Sequence, residues 1–145
     1  MKFILTITFC LLVFTQALAD DARKFDEYGN LAFSDEIARL DNLAIQLQRE
    51  PDMIAWYVVY SGRKTCLGET RLRALRAKKY LIEKRGIKAD RIIWMDGGYR
   101  EELGVDLWVW QRSLGAPTTY PRVDKSEVQI IKNCRPKYQK QQRRI

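Results

Sequence analysis

Residues 3–14 form an almost unbroken apolar run, and nothing later in the chain repeats it. From residue 34 the pattern becomes helical. Ile37, Leu40, Leu43, Ala44 and Leu47 recur at helical spacing, while Arg39, Asp41, Gln46 and Arg49 fall largely on the other side. Ser34 suits an N-cap, Asp35 and Glu36 suit the positive end of the helix dipole, and Pro51 ends the helix. Ile54–Tyr60 is rich in β-branched and aromatic residues and predicts an internal strand. Arg63 to Leu67 reads as a loop. A second helix begins at Gly68-Glu69-Thr70 and runs to about Arg85, with Ala74, Leu75, Ala77, Leu81 and Ile82 as its buried stripe. Gly86 stands where a left-handed C-terminal residue is wanted. Arg91–Met95 predicts a further strand, Asp96-Gly97-Gly98 a turn, and Val105–Trp110 a last core strand. Upstream, Gly29-Asn30 is turn chemistry between short apolar pieces, and Ser126–Ile131 predicts a short extended piece near the end. The element order predicts an α+β two-layer sandwich, a mixed β-sheet with two main helices on one face.

The first apolar run changes the compartment. Lys2 precedes it, Ala17-Leu18-Ala19 supplies small residues at a cleavage site, and Asp20-Asp21 follow. This is the layout of a secretory signal peptide over residues 1–19, and the run is short for a bilayer span. Residues 20–115 then make one domain and residues 116–145 a C-terminal extension with a basic tail. The expected location is periplasmic or secreted, with no transmembrane span once the signal is removed. Cys66 and Cys134 would meet an oxidising compartment, where a disulfide is the expectation and two separate thiols the alternative.

Charge is uneven. Residues 20–131 carry 19 basic and 18 acidic groups, while Lys132, Arg135, Lys137, Lys140, Arg143 and Arg144 stand in the last stretch without an acid. A tail of this kind suits loose contact with polyanions, here cell-surface polymers, anionic lipid or an acidic partner, or is a solvated end. Nucleic acid is not an expected partner of an exported chain.

Catalysis finds little support. There is no histidine, the commonest general base. Ser61 has no evident base partner, and Glu101-Glu102 reads as a solvated loop. Two cysteines without histidine do not close a zinc shell, so neither a metal nor another cofactor is expected. Trp56, Trp94, Trp108 and Trp110 lie on predicted strands, where core packing is the default and stacking on sugar rings the alternative.

Tyr60-Ser61-Gly62, Thr70-Arg71-Leu72-Arg73-Ala74, Tyr80-Leu81, Gly86-Ile87, Arg91-Ile92, Gly98-Tyr99-Arg100-Glu101 and Val105-Asp106 occur in this order. With Phe25-Asp26 and the helix from Ser34 to Gln48, they make residues 24–110 resemble the OmpA-like peptidoglycan-binding domain. The resemblance implies an OmpA-like sandwich and a noncatalytic envelope module binding peptidoglycan or another anionic envelope component. In that family a loop Asp takes the ammonium of diaminopimelate, and the Arg of the R-A pair takes its carboxylate. Carried over, Arg73 is the carboxylate ligand, with Arg63 and Arg100 in support. The family's Asp falls on Gly62, so the alternative is a secreted protein-interaction or scaffold domain with a degenerate site. A small envelope hydrolase is the third reading.

Overall fold

The computed structural model describes residues 23–134. Residues 1–22, with the expected signal segment 1–19, and residues 135–145 lie outside the described residues. Strand β1 spans Arg23–Tyr28, helix α1 Phe33–Arg49, β2 Met53–Ser61, β3 Lys64–Cys66, helix α2 Glu69–Arg85, β4 Ile92–Tyr99, β5 Gly104–Gln111 and β6 Gln129–Ile131. The main sheet has the order β1-β5-β2-β4. β2 runs parallel to β4 and antiparallel to β5, and β1 runs antiparallel to β5. The sheet is therefore mixed, and α1 and α2 pack on it as the second layer of an α+β sandwich.

The core lies between the layers. Leu40, Leu43, Ala44 and Leu47 of α1 and Ala74, Ala77 and Leu81 of α2 meet Ala55, Tyr57 and Val59 of β2 and Val105, Leu107 and Val109 of β5. The alternation of β2 and β5 sends Ile54, Val58, Tyr60 and Trp110 to the opposite face. These side chains are buried too, because the extension crosses that face. Trp110 donates its indole hydrogen to Gly115 O at 2.9 Å, Tyr120 N donates to Tyr60 Oη at 3.2 Å, and Val123 bridges Tyr99. β6 then returns to pair in parallel with β3 as a separate two-stranded sheet, and a Cys66–Cys134 disulfide closes it.

Several local expectations change. α1 starts at Phe33 with Ala32 as its cap and no side-chain capping bond, so Ser34 lies inside the first turn. Arg63–Leu67 is not all loop, because β6 supplies Lys64–Cys66 with a partner that only the return of the extension creates. The Asp96-Gly97-Gly98 turn is a bulge within β4, where the register with β2 shifts between Val59 and Tyr60. A Cβ on Gly97 would overlap the Tyr60 ring, so glycine is what lets the strand continue past that side chain. Leu75 points outward, because the buried stripe of α2 is centred on Thr70, Arg73, Ala74, Ala77 and Leu81.

Candidate binding site

Charged side chains occupy the core side of both helices. Glu36 shares the stripe of Leu40, Leu43, Ala44 and Leu47, and Arg73 shares that of Ala77 and Leu81. Their exposures are 0% and 1%. Arg73 Nε donates to Glu36 Oε1 at 3.0 Å, and Arg76 reaches Glu36 Oε2 at 2.5 Å. Tyr57 and Tyr28 donate to Glu36 Oε1 at 2.5 and 3.2 Å. The rest of the Arg73 fork goes to Asn30 Oδ1 and Leu31 O. Burial alone would lower the Arg73 guanidinium, but Glu36 and the two phenols outweigh it and raise it. Burial first, and after it the neighbouring charges, push the Tyr28 and Tyr57 phenols far above their ordinary value. A carboxylate of the chain itself thus stands against the guanidinium that the OmpA-like resemblance would give to a ligand's carboxylate.

A cavity of about 630 Å³ opens beside this network, between the β2–α2 segment, the β4–β5 turn and β6. Asn30 connects the two, since it bonds Arg73 and also lines the cavity. Gly62 forms part of the wall. A Cβ there would meet Leu103 N at 3.0 Å and Glu102 Cα at 3.2 Å, so a side chain where the resembling family has Asp would press on this backbone and force it to shift. Carboxylates reach the cavity from elsewhere, namely Glu69, Glu101 and Glu102. Glu69 Oε2 accepts from Thr65 Oγ1 and Cys66 N at 3.1 and 3.2 Å, which fixes the turn into α2.

Arg63 lines the cavity and binds Glu101 with two nitrogens, at 2.5 and 2.9 Å, while its third nitrogen reaches Glu127 at 2.9 Å. Those hydrogen bonds hold both carboxyls below the usual range. The pairing ties the β2–β3 corner to the β4–β5 turn and to the extension. Lys64 and Glu102 also line the cavity, and neither has a hydrogen-bond or ion-pair partner among the described residues. The lining therefore presents, from two elements, one cation and one anion that no other described side chain pairs.

Arg100 lies on the opposite face of the sheet. It binds Asp106 at 2.8 and 3.2 Å and stacks over the Tyr60 ring, 3.4 Å from the centroid. Lys24 adds a second cation to the fully buried Asp106 at 3.4 Å. The three arginines singled out by the sequence thus occupy three places: Arg73 in the core behind the cavity, Arg63 on its wall, and Arg100 beyond the sheet. Among the described residues no group of three or more His, Cys, Asp or Glu side chains could hold a metal ion, and no helix is long and apolar enough to cross a membrane.

Sequence reading gave Glu36 only to the helix dipole and Glu102 to a solvated loop, and did not bring Glu36 to Arg73 or Lys64 and Glu102 to one cavity. Glu36 was visible in principle, four residues before Leu40 on the apolar stripe. Lys64 and Glu102 carry no local signal of a shared cavity, because they come together only where the β4–β5 turn meets the β2–α2 segment. No family model, no curated protein and no solved structure matches the chain.

Proposed function

We propose that this chain is an exported, noncatalytic envelope module that uses the cavity beside α2 to bind a zwitterionic peptide element of the cell wall. The observation that carries the reading is a cation and an anion without side-chain partners among the described residues, Lys64 and Glu102, lining the same cavity from two different elements. An ammonium and a carboxylate on one ligand would meet them in the same pocket, and charge-assisted hydrogen bonds are the stronger kind. Glu102 supplies the anion that Gly62 does not, while Arg63 and Arg73 shape the wall and its backing. The signal layout at residues 1–19 and the Cys66–Cys134 disulfide support export. The resemblance of residues 24–110 to OmpA-like domains supports peptidoglycan as the polymer.

A second reading is favoured by one observation. Glu36 already neutralises Arg73, as a scaffold domain with a retired ligand site would require. Co-sedimentation with purified peptidoglycan separates the two. The module reading expects binding that survives moderate salt and falls about tenfold in Glu102→Gln and in Lys64→Gln, each removing one charge-assisted bond. No binding, or binding that both variants keep, would leave the scaffold.

A further inference from the structure

We propose that a second copy of this chain pairs antiparallel with β4 and continues the main sheet, giving a twofold-symmetric dimer. The sheet has two edges, β1 and β4, and they differ. β1 carries Arg23, Lys24, Asp26 and Glu27 and is bulged between Lys24 and Asp26, features that keep an edge from recruiting another strand. β4 opens with Ile92-Ile93-Trp94-Met95, stays in regular register with β2 through Asp96, and holds no charge or proline before that residue. Ile93, Trp94 and Met95 are half-buried. Leu75, 42% exposed, stands one turn before Lys78, the α2 residue that reaches this edge.

The backbone of β4 shows which groups the edge leaves open. Alternate residues of a strand turn their N–H and C=O toward opposite neighbours. Arg100 N donates to Ser61 O at 2.9 Å, so Tyr99 faces away from β2, and Arg122 N and Val123 N take its carbonyl from outside at 2.8 and 3.2 Å. Counted back through the bulge, Ile92, Trp94 and Asp96 face the same way. Ile92 is already engaged there, its N–H by Ala89 O and its carbonyl by Lys78 Nζ at 2.8 Å. Trp94 and Asp96 keep outward N–H and C=O groups that no described residue engages. These residues stand symmetrically about Met95. An antiparallel copy centred on Met95 sets Trp94 of each chain against Asp96 of the other, where both hydrogen bonds of each pair form and every open group is used. Such self-complementarity selects a second copy over an unrelated strand. The side chains agree with this register. Asp96 lies on the helix-facing side with Ile92 and Trp94. It stands diagonally across from Ile92 of the second copy, whose carbonyl holds Lys78, so unlike charges approach across the axis.

None of these residues lines the cavity, so the dimer stands or falls apart from the proposed ligand. Sedimentation equilibrium of the purified, oxidised protein should show monomer and dimer in a concentration-dependent balance. In a Cys10→Ser background, Met95→Cys should cross-link the copies in oxidised glutathione, since residues facing at such a position have Cα atoms about 4.5 Å apart. Ile93→Cys should not, because the same register holds its two copies about 13 Å apart. Met95→Lys should weaken the dimer about fivefold by setting like charges opposite one another, with a circular dichroism melt that matches the parent. The cysteine comparison reads the interface independently of that variant. A monomer at every concentration would overturn the proposal. So would a dimer that Met95→Lys leaves intact, or one that Ile93→Cys cross-links and Met95→Cys does not. Slow hydrogen exchange at the Trp94 and Asp96 amides of a monomer would give the edge to another part of the chain and overturn it as well.

Discussion

Glu36 and Arg73 show how a single helical position decides the character of this core. Each sits on an apolar stripe, and each would be expensive to bury alone. Together with Tyr28, Tyr57 and Asn30 they satisfy one another, and one nitrogen of Arg76 adds a second guanidinium contact on Glu36. Breaking such a set strands the remaining charge, so Arg73→Ala should lower unfolding stability by about 3–5 kcal/mol in urea titration. Glu36→Gln should also destabilise, because two guanidinium groups then share a neutral amide. If Arg73→Ala were as stable as the parent, the guanidinium would not be held by Glu36, and its availability to a ligand would be restored. Gly62 makes the complementary point. Its Cβ position is closed by the backbone of Glu102 and Leu103, which cannot move as a side-chain tip can. Gly62→Asp is therefore expected to destabilise by about 1–3 kcal/mol, and not to recreate an ammonium site. Higher peptidoglycan affinity in a Gly62→Asp protein of unchanged stability would contradict this geometry.

At the scale of elements, the helices and the long strands hold one another through buried stripes, whereas β3 and β6 are three residues each and depend on their connections. The Cys66–Cys134 bond, the Arg63–Glu101–Glu127 ion pairs and the Gln129 N to Arg63 O bond at 2.7 Å together hold them. The disulfide closes a 68-residue separation. For a loop of that length the chain-entropy account gives about 4 kcal/mol. C66S/C134S should lose about 2–4 kcal/mol in denaturant titration, and proteolysis should begin between residues 112 and 134 while the sandwich stays protected. Uniform protease sensitivity along the chain would show instead that the extension and the sandwich unfold as one unit. Arg91 illustrates a tighter connection. It donates to Leu47 O, Glu50 O and Met53 O, so one side chain closes the end of α1 onto the start of β2.

For the whole molecule, buried phenols link stability to pH. Tyr28 and Tyr57 are raised from an ordinary value of 10.0 by burial and by the charges around them. The unfolded chain loses those protons near pH 10, while the folded chain keeps them. Their contribution is thus fully present below pH 10 and falls as pH rises past it. Absorbance of tyrosinate and far-ultraviolet circular dichroism, followed together, should show these two of the seven tyrosines ionising only as the fold is lost. Full tyrosinate absorbance with the native spectrum intact would show that the two phenols are solvated.

The sequence by itself determined the helices, the long strands and the α+β class, because periodicity, Pro51 and Gly86 act locally. The two cysteines also anticipated their disulfide. Only the tertiary structure decided which charges are paired within the fold. Arg73, Arg63 and Arg100 look alike as residue types, yet Glu36, Glu101 with Glu127, and Asp106 each engage one of them from a distant part of the chain. Pairing of this kind depends on distances between elements far apart in sequence, which no local pattern contains. The same reason hid the meeting of Lys64 and Glu102 around one cavity, the shelter that the extension gives to Trp110 and Tyr60, and the outward turn of Leu75.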